Sequence, residues 1–159
     1  MLKKDVVSGI KGYVAIRCLD QDGNVIWEKQ SHNLITFGIR DVLGELLVQN
    51  FVTGARSTSD LKIASIRMGT SDASPARGQI GLQSTAVVFK ALTAPNVSRT
   101  SAGIYVYNVT METGEGNGTT FTEVGLFTSD GTMIARQVHP PFTKDISQTI
   151  QYTWTQVFA

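Results

Sequence analysis

Residues 121–138 read Phe121-Thr-Glu-Val-Gly-Leu-Phe-Thr128, Ser129-Asp130-Gly131 and Thr132-Met-Ile-Ala-Arg-Gln-Val138. Two segments rich in β-branched and aromatic residues flank an Asp-Gly pair, which is the strongest short-range signal for a β-hairpin. Asp tolerates left-handed backbone and Gly adopts positive φ freely, so the pair suits a tight turn. The stretch therefore predicts two antiparallel strands joined at 129–131.

The end of the chain alternates between apolar and polar residues. One face carries Ile146, Gln148, Ile150, Tyr152, Trp154, Gln156 and Phe158, and the other carries Ser147, Thr149, Gln151, Thr153 and Thr155. This period of two predicts a strand with one face on the core and one in water. Between the hairpin and this strand, His139-Pro140-Pro141 predicts an irregular segment because proline disrupts strand pairing.

Further strands are predicted where β-branched and aromatic residues cluster between turn signals. Asp20 to Asn24 predicts a turn, and a shift in apolar spacing between Ile63 and Ile66 predicts a bulge. The 50–60 and 69–85 segments lack periodicity and are predicted as loops, the second as a contact loop because long loops are often functional. The strands cover residues 12–19, 25–30, 61–68, 86–92 and 103–111.

One helix is predicted at 36–49, with Thr36 as its N-cap. An apolar stripe of Ile39, Val42, Leu43, Leu46 and Leu47 should face a sheet, and Gly44 would permit close approach to a strand. The expected fold is mainly β, an antiparallel β-sandwich of jelly-roll type with about eight strands and one amphipathic helix. We expect a single domain at 11–159, preceded by an N-terminal arm at 1–10.

Composition and charge limit the classes of function that the sequence supports. The formal net charge is +1 with scattered basic residues, so no specific nucleic-acid binding is predicted. The single Cys18 excludes an internal disulfide, which together with the absence of an N-terminal secretion signal favours a reducing cytoplasm. No apolar run approaches the roughly 20 residues that span a bilayer, so no membrane partner is expected.

No catalytic, cofactor-binding or metal-ligating residues are predicted. Asp20 and Asp22 lack the spacing of a calcium loop. The glycines at 114, 116 and 118 match no phosphate-binding pattern and predict a flexible hairpin tip. His32 and His139 are too isolated to form a zinc site, and Cys18 is expected to be an inert core thiol. We therefore expect a protein that is not an enzyme and needs no cofactor.

Contacts with partners are predicted from the arm and the loops. Glu123 could pair with Lys144 or Arg136 within the subunit, could pair with a charge across an interface, or could be solvated. Aromatic anchors for an interface could come from Trp27, Phe51, Tyr105 and Tyr107, which could equally lie in the core. The candidate contact residues are Lys3, Lys4, Phe51, Arg56, Arg77 and Glu123.

The order of several motifs resembles virion structural proteins of tailed bacteriophages, especially small capsid decoration or cement, collar and tail-fibre-like proteins. Asn33-Leu-Ile-Thr36 leads into an apolar helix, and Ile66-Arg-Met-Gly-Thr70 leads into a Ser/Pro/Gly loop that ends at Gly81-Leu82. The remaining motifs are Phe121-Thr-Glu-Val-Gly-Leu-Phe127, Gly131-Thr-Met-Ile-Ala-Arg136, Pro141-Phe-Thr-Lys144 and Tyr152-Thr-Trp154. The likeness runs from about residue 33 onward and implies β-sandwich subunits assembled as homotrimers.

Long fibres usually continue into repeats or a receptor-binding tip, and this sequence stops at Ala159. The expected function is therefore that of a capsid decoration or cement protein, which binds the major capsid protein or other virion proteins as an oligomer and stabilises the shell. It would be located in the virion, assembled in the host cytoplasm. Two alternatives stay open: a tail, collar or baseplate protein that anchors a fibre, and a carbohydrate- or receptor-binding β-sandwich module.

Overall fold

The structure is a computed structural model, and it describes residues 9–48 and 53–158. Within these ranges the chain forms ten strands and two helices. In chain order they are β1 Ile10–Leu19, β2 Val25–His32, β3 Leu34–Ile35, α1 Gly38–Val48, α2 Thr58–Leu61, β4 Ile63–Gly69, β5 Val88–Ala91, β6 Val97–Ser101, β7 Ile104–Met111, β8 Thr120–Thr128, β9 Met133–Thr143 and β10 Thr149–Phe158.

The strands form two antiparallel sheets of five strands each. The first has the order β2-β1-β10-β7-β6, and the second has the order β3-β9-β8-β4-β5. The prediction of a mainly β, antiparallel fold is confirmed, while the jelly-roll topology is not. The strand count exceeds the predicted eight because β3, with two residues, is too short to show a periodic pattern, and β6 is exposed along its whole length and carries no alternating apolar signal.

Apolar side chains from both sheets form one shared core. Ile150, Tyr152 and Trp154 of β10 are fully buried, as the alternation predicted, and Val124 and Leu126 contribute from β8. The predicted strand begins too early, however, because Ile146 is 67% exposed. The Asp145 carboxylate accepts the Ser147 amide 2.8 Å away, which makes a turn before β10.

The 121–138 hairpin has the predicted pairing, with Phe127 opposite Met133 and Gly131 at φ +88°. The pairing then jumps from Glu123–Val138 to Phe121–Phe142, so the His139-Pro140-Pro141 segment forms a bulge within β9 rather than a break between strands. The bulge predicted in β4 is also present, since its pairing with β8 shifts between Ile63 and Ser65.

Helix α1 packs on β9, but only its first turns are buried. Ile39 and Val42 are buried, whereas Leu46 and Leu47 are 40% and 81% exposed, so the predicted stripe meets the sheet along half its length. Thr36 is not the N-cap, because α1 begins at Gly38 and Phe37 lies between them; the Thr36 hydroxyl donates instead to the carbonyl of Met133 at 2.5 Å. The expected role of Gly44 is wrong as well, since no atom lies within 4 Å of a Cβ built there.

The 20–24 turn and the 113–118 tip are both held by hydrogen bonds within the protein. The Asp20 carboxylate accepts the backbone amides of Asp22 and Asn24 at 2.9 and 2.8 Å, which confirms a hairpin turn at 20–24. The 113–118 tip is anchored rather than free, because the buried Lys144 ammonium donates to Asn117 Oδ1 at 2.8 Å and to the Thr113 carbonyl at 3.2 Å.

Candidate functional site

The loop at 70–87 connects β4 to β5 and lies over the second sheet. It has no helix or strand, as the sequence predicted, yet it is held by many hydrogen bonds. Residues 121–128 of β8 are all buried, on both faces of the strand. A strand buried on both faces in an antiparallel sheet must have a cover on each side, and here the loop supplies the outer one.

The carboxylate of Glu123 is the centre of the loop's attachment. It accepts hydrogen bonds from the amide of Ser71 at 3.3 Å, the amide of Gln83 at 3.0 Å and the amide of Ser84 at 2.9 Å. The hydroxyl of Ser84 donates to it as well, at 2.6 Å. One side chain therefore binds the first and the last part of the loop at once.

Arg136 of β9 completes this cluster. Its Nε and Nη2 each lie 2.8 Å from Oε2 of Glu123, and both side chains are fully buried. Nη1 donates to the carbonyl of Ala73 at 2.8 Å and to Oε1 of Gln79 at 3.2 Å, in the middle of the loop. A buried ion pair needs such additional hydrogen bonds to offset the desolvation of its charges.

Hydrogen bonding keeps Glu123 ionised. Burial acts to raise the pKa of this carboxyl, but the hydrogen bonds from Ser84, Gln83 and Arg136 together outweigh burial and lower its pKa below the usual range. A carboxylate that stays charged binds amide and guanidinium donors more strongly than a neutral acid does. The loop is therefore fixed by a permanent charge at neutral pH.

Gly69, the last residue of β4, makes room for this arrangement. A Cβ at this position would lie 2.6 Å from Oε1 of Glu123 and closer still to Oγ of Ser84. Only glycine allows the serine and the carboxylate to approach the strand at this point.

The outer side of the loop presents exposed residues. Arg77 is exposed, and Ile80 is 90% exposed. The amide of Phe37 donates to the Arg77 carbonyl at 2.8 Å, which ties the loop to the start of α1. Beside Ile80 lies an open pocket of about 280 Å³ that also includes Arg67, Leu82 and Phe127.

Arg56 forms an intramolecular tie. Its guanidinium lies 2.9 Å from Glu45 of α1 and 2.5 Å from Asp130 in the hairpin turn. It also donates to the Thr132 hydroxyl at 2.7 Å. Hydrogen bonds from Thr128 and Arg56 lower the pKa of Asp130 against the effect of burial. The side chain is thus engaged between α1 and the β8–β9 turn.

The six candidate contact residues therefore lie in different settings. Arg77 is exposed on the loop, Arg56 is engaged with two carboxylates, and Glu123 is buried beneath the loop. Of the partners considered for Glu123, the structure has Arg136 and not Lys144. Lys3, Lys4 and Phe51 lie outside the described residues, as does most of the 1–10 arm.

Other residues considered from the sequence lie in ordinary structural positions. Cys18 is fully buried, and burial raises the pKa of its thiol. His139 is buried with its ring stacked on Phe142 at 5.4 Å, and burial lowers its pKa. Among residues 9–48 and 53–158, no group of three or more His, Cys, Asp or Glu side chains is placed to hold a metal ion.

The candidate aromatic anchors divide between the core and one pocket. Trp27 is partly buried, and the centroid of its ring lies 5.1 Å from that of Phe142. Tyr105, Tyr107 and Phe158 line an open pocket of about 310 Å³ together with Gly103. Burial raises the pKa of the Tyr107 hydroxyl to about 12. Trp154 is fully buried, as expected of its place in the alternation.

Sequence reasoning missed most of the loop's anchor. Ser84, Gln79 and Gly69 belong to the Glu123–Arg136 cluster, although nothing in their local sequence connects them with residues 39 to 57 positions away. The available signal was the position of Glu123 as the one charged residue of the predicted 121–128 strand, where a buried ionised side chain requires a partner.

Comparison of the chain with protein-family models, with curated proteins and with solved structures gave no significant match. In the part of the chain that the structure describes, neither helix has the length and apolar character needed to cross a membrane.

Proposed function

We propose that this chain is a non-enzymatic structural protein of a tailed-bacteriophage virion, and that it decorates the capsid shell as an oligomer and stabilises it. The sequence resemblance supports the virion assignment. The observation that best supports a binding role is the 70–87 loop, which is ordered by a buried ion pair while it exposes Arg77 and Ile80.

A loop that is already ordered before binding suits this role. Ordering a flexible loop on association costs conformational entropy, so an anchored loop retains more of the interaction free energy. The Glu123 carboxylate and the Arg136 guanidinium bind five loop residues between them. In a shell with many copies, each contact can be modest because linked sites raise the effective affinity. A homotrimer with a jelly-roll arrangement of its sheets belongs to the same proposal.

Quantitative mass spectrometry of separated heads and tails of the parent particle tests this function. We expect many copies per particle on heads, and we expect particles stripped of the protein to lose resistance to heat and low ionic strength. A few copies confined to tails or neck would instead indicate a collar, baseplate or fibre-anchoring protein. Absence from both fractions would refute the virion proposal.

The aromatic pocket favours a second candidate, a carbohydrate- or receptor-binding module. Tyr105 and Phe158 meet edge to face, with ring centroids 5.8 Å apart, beside Tyr107. Proteins bind sugars by stacking them on aromatic faces and by hydrogen bonding to them through hydroxyl groups. A glycan array with the parent chain and a Tyr105→Ala variant tests it: a hit that the variant loses supports the module, and no hit on the array counts against it.

A further inference from the structure

The pocket beside the anchored loop contains an arginine without a carboxylate partner. Arg67 of β4 is half-buried, and within the described residues it forms no ion pair. Its one hydrogen bond to another described residue is long, 3.4 Å from Nε to the Ser65 hydroxyl. Since a guanidinium carries five N–H donors, most of them have no acceptor among the described residues.

Aromatic rings hold the guanidinium in place. The Arg67 guanidinium carbon lies 4.2 Å from the centroid of the Phe127 ring and 5.3 Å from that of Phe89. Cation–π contacts of this kind offset part of the cost of removing the charge from water and restrict the side chain. The guanidinium is therefore oriented before any partner arrives, and most of its donors are free of acceptors from the described residues.

The neighbouring acid is already engaged. Asp130 precedes Gly131, which lines the same pocket, and Asp130 is bound by Arg56, Thr128 and Thr132. The pocket of about 280 Å³ is open and has Ile80 and Leu82 on its wall. Ile80, at 90% exposure, and Phe89, at 57%, add apolar surface around the charged floor.

We infer that this pocket binds an acidic side chain of a protein partner, with a carboxylate paired to Arg67 and apolar neighbours resting on Ile80 and Phe89. Planar guanidinium groups match carboxylates in a bidentate geometry, and a pre-oriented arginine among exposed apolar residues is a common anchor of protein interfaces. A phosphate of nucleic acid is disfavoured because Arg67 is the one basic residue among the described residues that line the pocket, whereas nucleic-acid sites combine several.

The site has a direct test that needs no virion, so its failure and the failure of the proposed function are distinguishable. Two-dimensional NMR spectra covering backbone amides and arginine Nε–H groups are recorded during titration with N-acetyl-glutamate α-amide. The neutral analogue N-acetyl-glutamine α-amide is the matched control ligand. We expect a saturable shift of the Arg67 Nε–H resonance and of the Gly131 amide. Binding of the neutral analogue should be at least about tenfold weaker, because the charge-assisted pair is lost.

Two variants test whether the shifts depend on Arg67. Arg67→Gln should abolish the shifts at Gly131, whereas Arg99→Gln, on an exposed arginine of the other sheet, should leave them unchanged. Equal shifts with both ligands, or shifts of similar size at the other exposed arginines, would overturn the inference. A short DNA duplex that shifts Arg67 when the glutamate ligand does not would overturn it in favour of phosphate. The comparison of the two ligands on the parent protein stays decisive even if Arg67→Gln does not fold.

Discussion

The guanidinium of Arg136 lies 2.8 Å from the carboxylate of Glu123, and both side chains are fully buried between β8, β9 and the 70–87 loop. This pair connects two neighbouring strands of one sheet to a loop that would otherwise have to be held by weak contacts. Its hydrogen bonds reach both ends and the middle of the loop. Stability and the shape of the exposed surface therefore depend on the same two side chains.

Removing the charge of Glu123 should destabilise the protein strongly. In Glu123→Gln the Arg136 guanidinium is left buried without a counter-charge, and breaking a buried pair in this way costs about 3–5 kcal/mol of unfolding free energy. Urea denaturation measures the loss. Glu28→Gln is the matched control, because its pair with Arg17 is about half exposed and should be worth about 0–1 kcal/mol. Equal effects of the two variants would contradict the anchor role.

Two glycine-to-alanine variants should have opposite effects. Gly69→Ala places a Cβ 2.6 Å from the Glu123 carboxylate, so we expect a loss of about 1–3 kcal/mol from overpacking. Gly44→Ala lies in α1 with open space around it, and there we expect a gain of about 0.5–1 kcal/mol from helix propensity. Thermal unfolding of both variants provides the comparison. A neutral or stabilising Gly69→Ala would show that the loop does not approach the strand this closely.

Stability should fall as the pH is lowered from neutrality, because of His139. Burial lowers its pKa in the folded state, with smaller opposing effects from the Pro140 carbonyl and Glu123 and a further lowering from Lys29. A lowered folded-state pKa means that the contribution is complete above the unfolded-state value of about 6.5 and is lost as the pH falls below it. Urea unfolding between pH 7.5 and 5 should show this loss. His139→Gln should flatten the profile, and His32→Gln, at an exposed position, should not.

A second loss should appear in stronger acid. The folded-state pKa of Glu123 is lowered by its hydrogen bonds, so its contribution is present above the unfolded-state value of about 4.3 and disappears as the pH falls through the folded-state value. The protection of the Ser71, Gln83 and Ser84 amides from hydrogen exchange, relative to the intrinsic rate at each pH, should fall in the same pH range. If these amides stay protected after Glu123 is protonated, other contacts hold the loop.

Lys144 should be needed to order the 113–118 tip. Lys144→Met keeps the apolar length of the side chain but removes the donors to Asn117 and Thr113, and we expect a cost of about 1.5–3 kcal/mol for the lost charged hydrogen bonds. Limited proteolysis should then cut within the tip. Lys62→Met, at an exposed position, is the control, and similar cleavage in both variants would argue against the anchor.

Much of the strand content could be predicted from the sequence because its signals are local. The Asp130-Gly131 turn, the alternation from Ile150 to Trp154 and the bulge near Ile63 each depend on the identity and spacing of near neighbours. Local pattern was also sufficient for the long irregular loop after Gly69. It was insufficient for β6, whose residues are exposed and carry no periodic apolar signal.

The tertiary structure decided three features. They are the order of strands in the two sheets, the burial of only half of the α1 stripe, and the pairing of Glu123 with Arg136 rather than Lys144. Each depends on contacts between residues far apart in the chain, where many pairings satisfy the same local pattern. The Arg67 pocket is of this kind: the strand sequence predicts only that an arginine is present. Its position beside two aromatic rings, without an ion pair to any described carboxylate, depends on how β4, β5, β8 and the loop pack together.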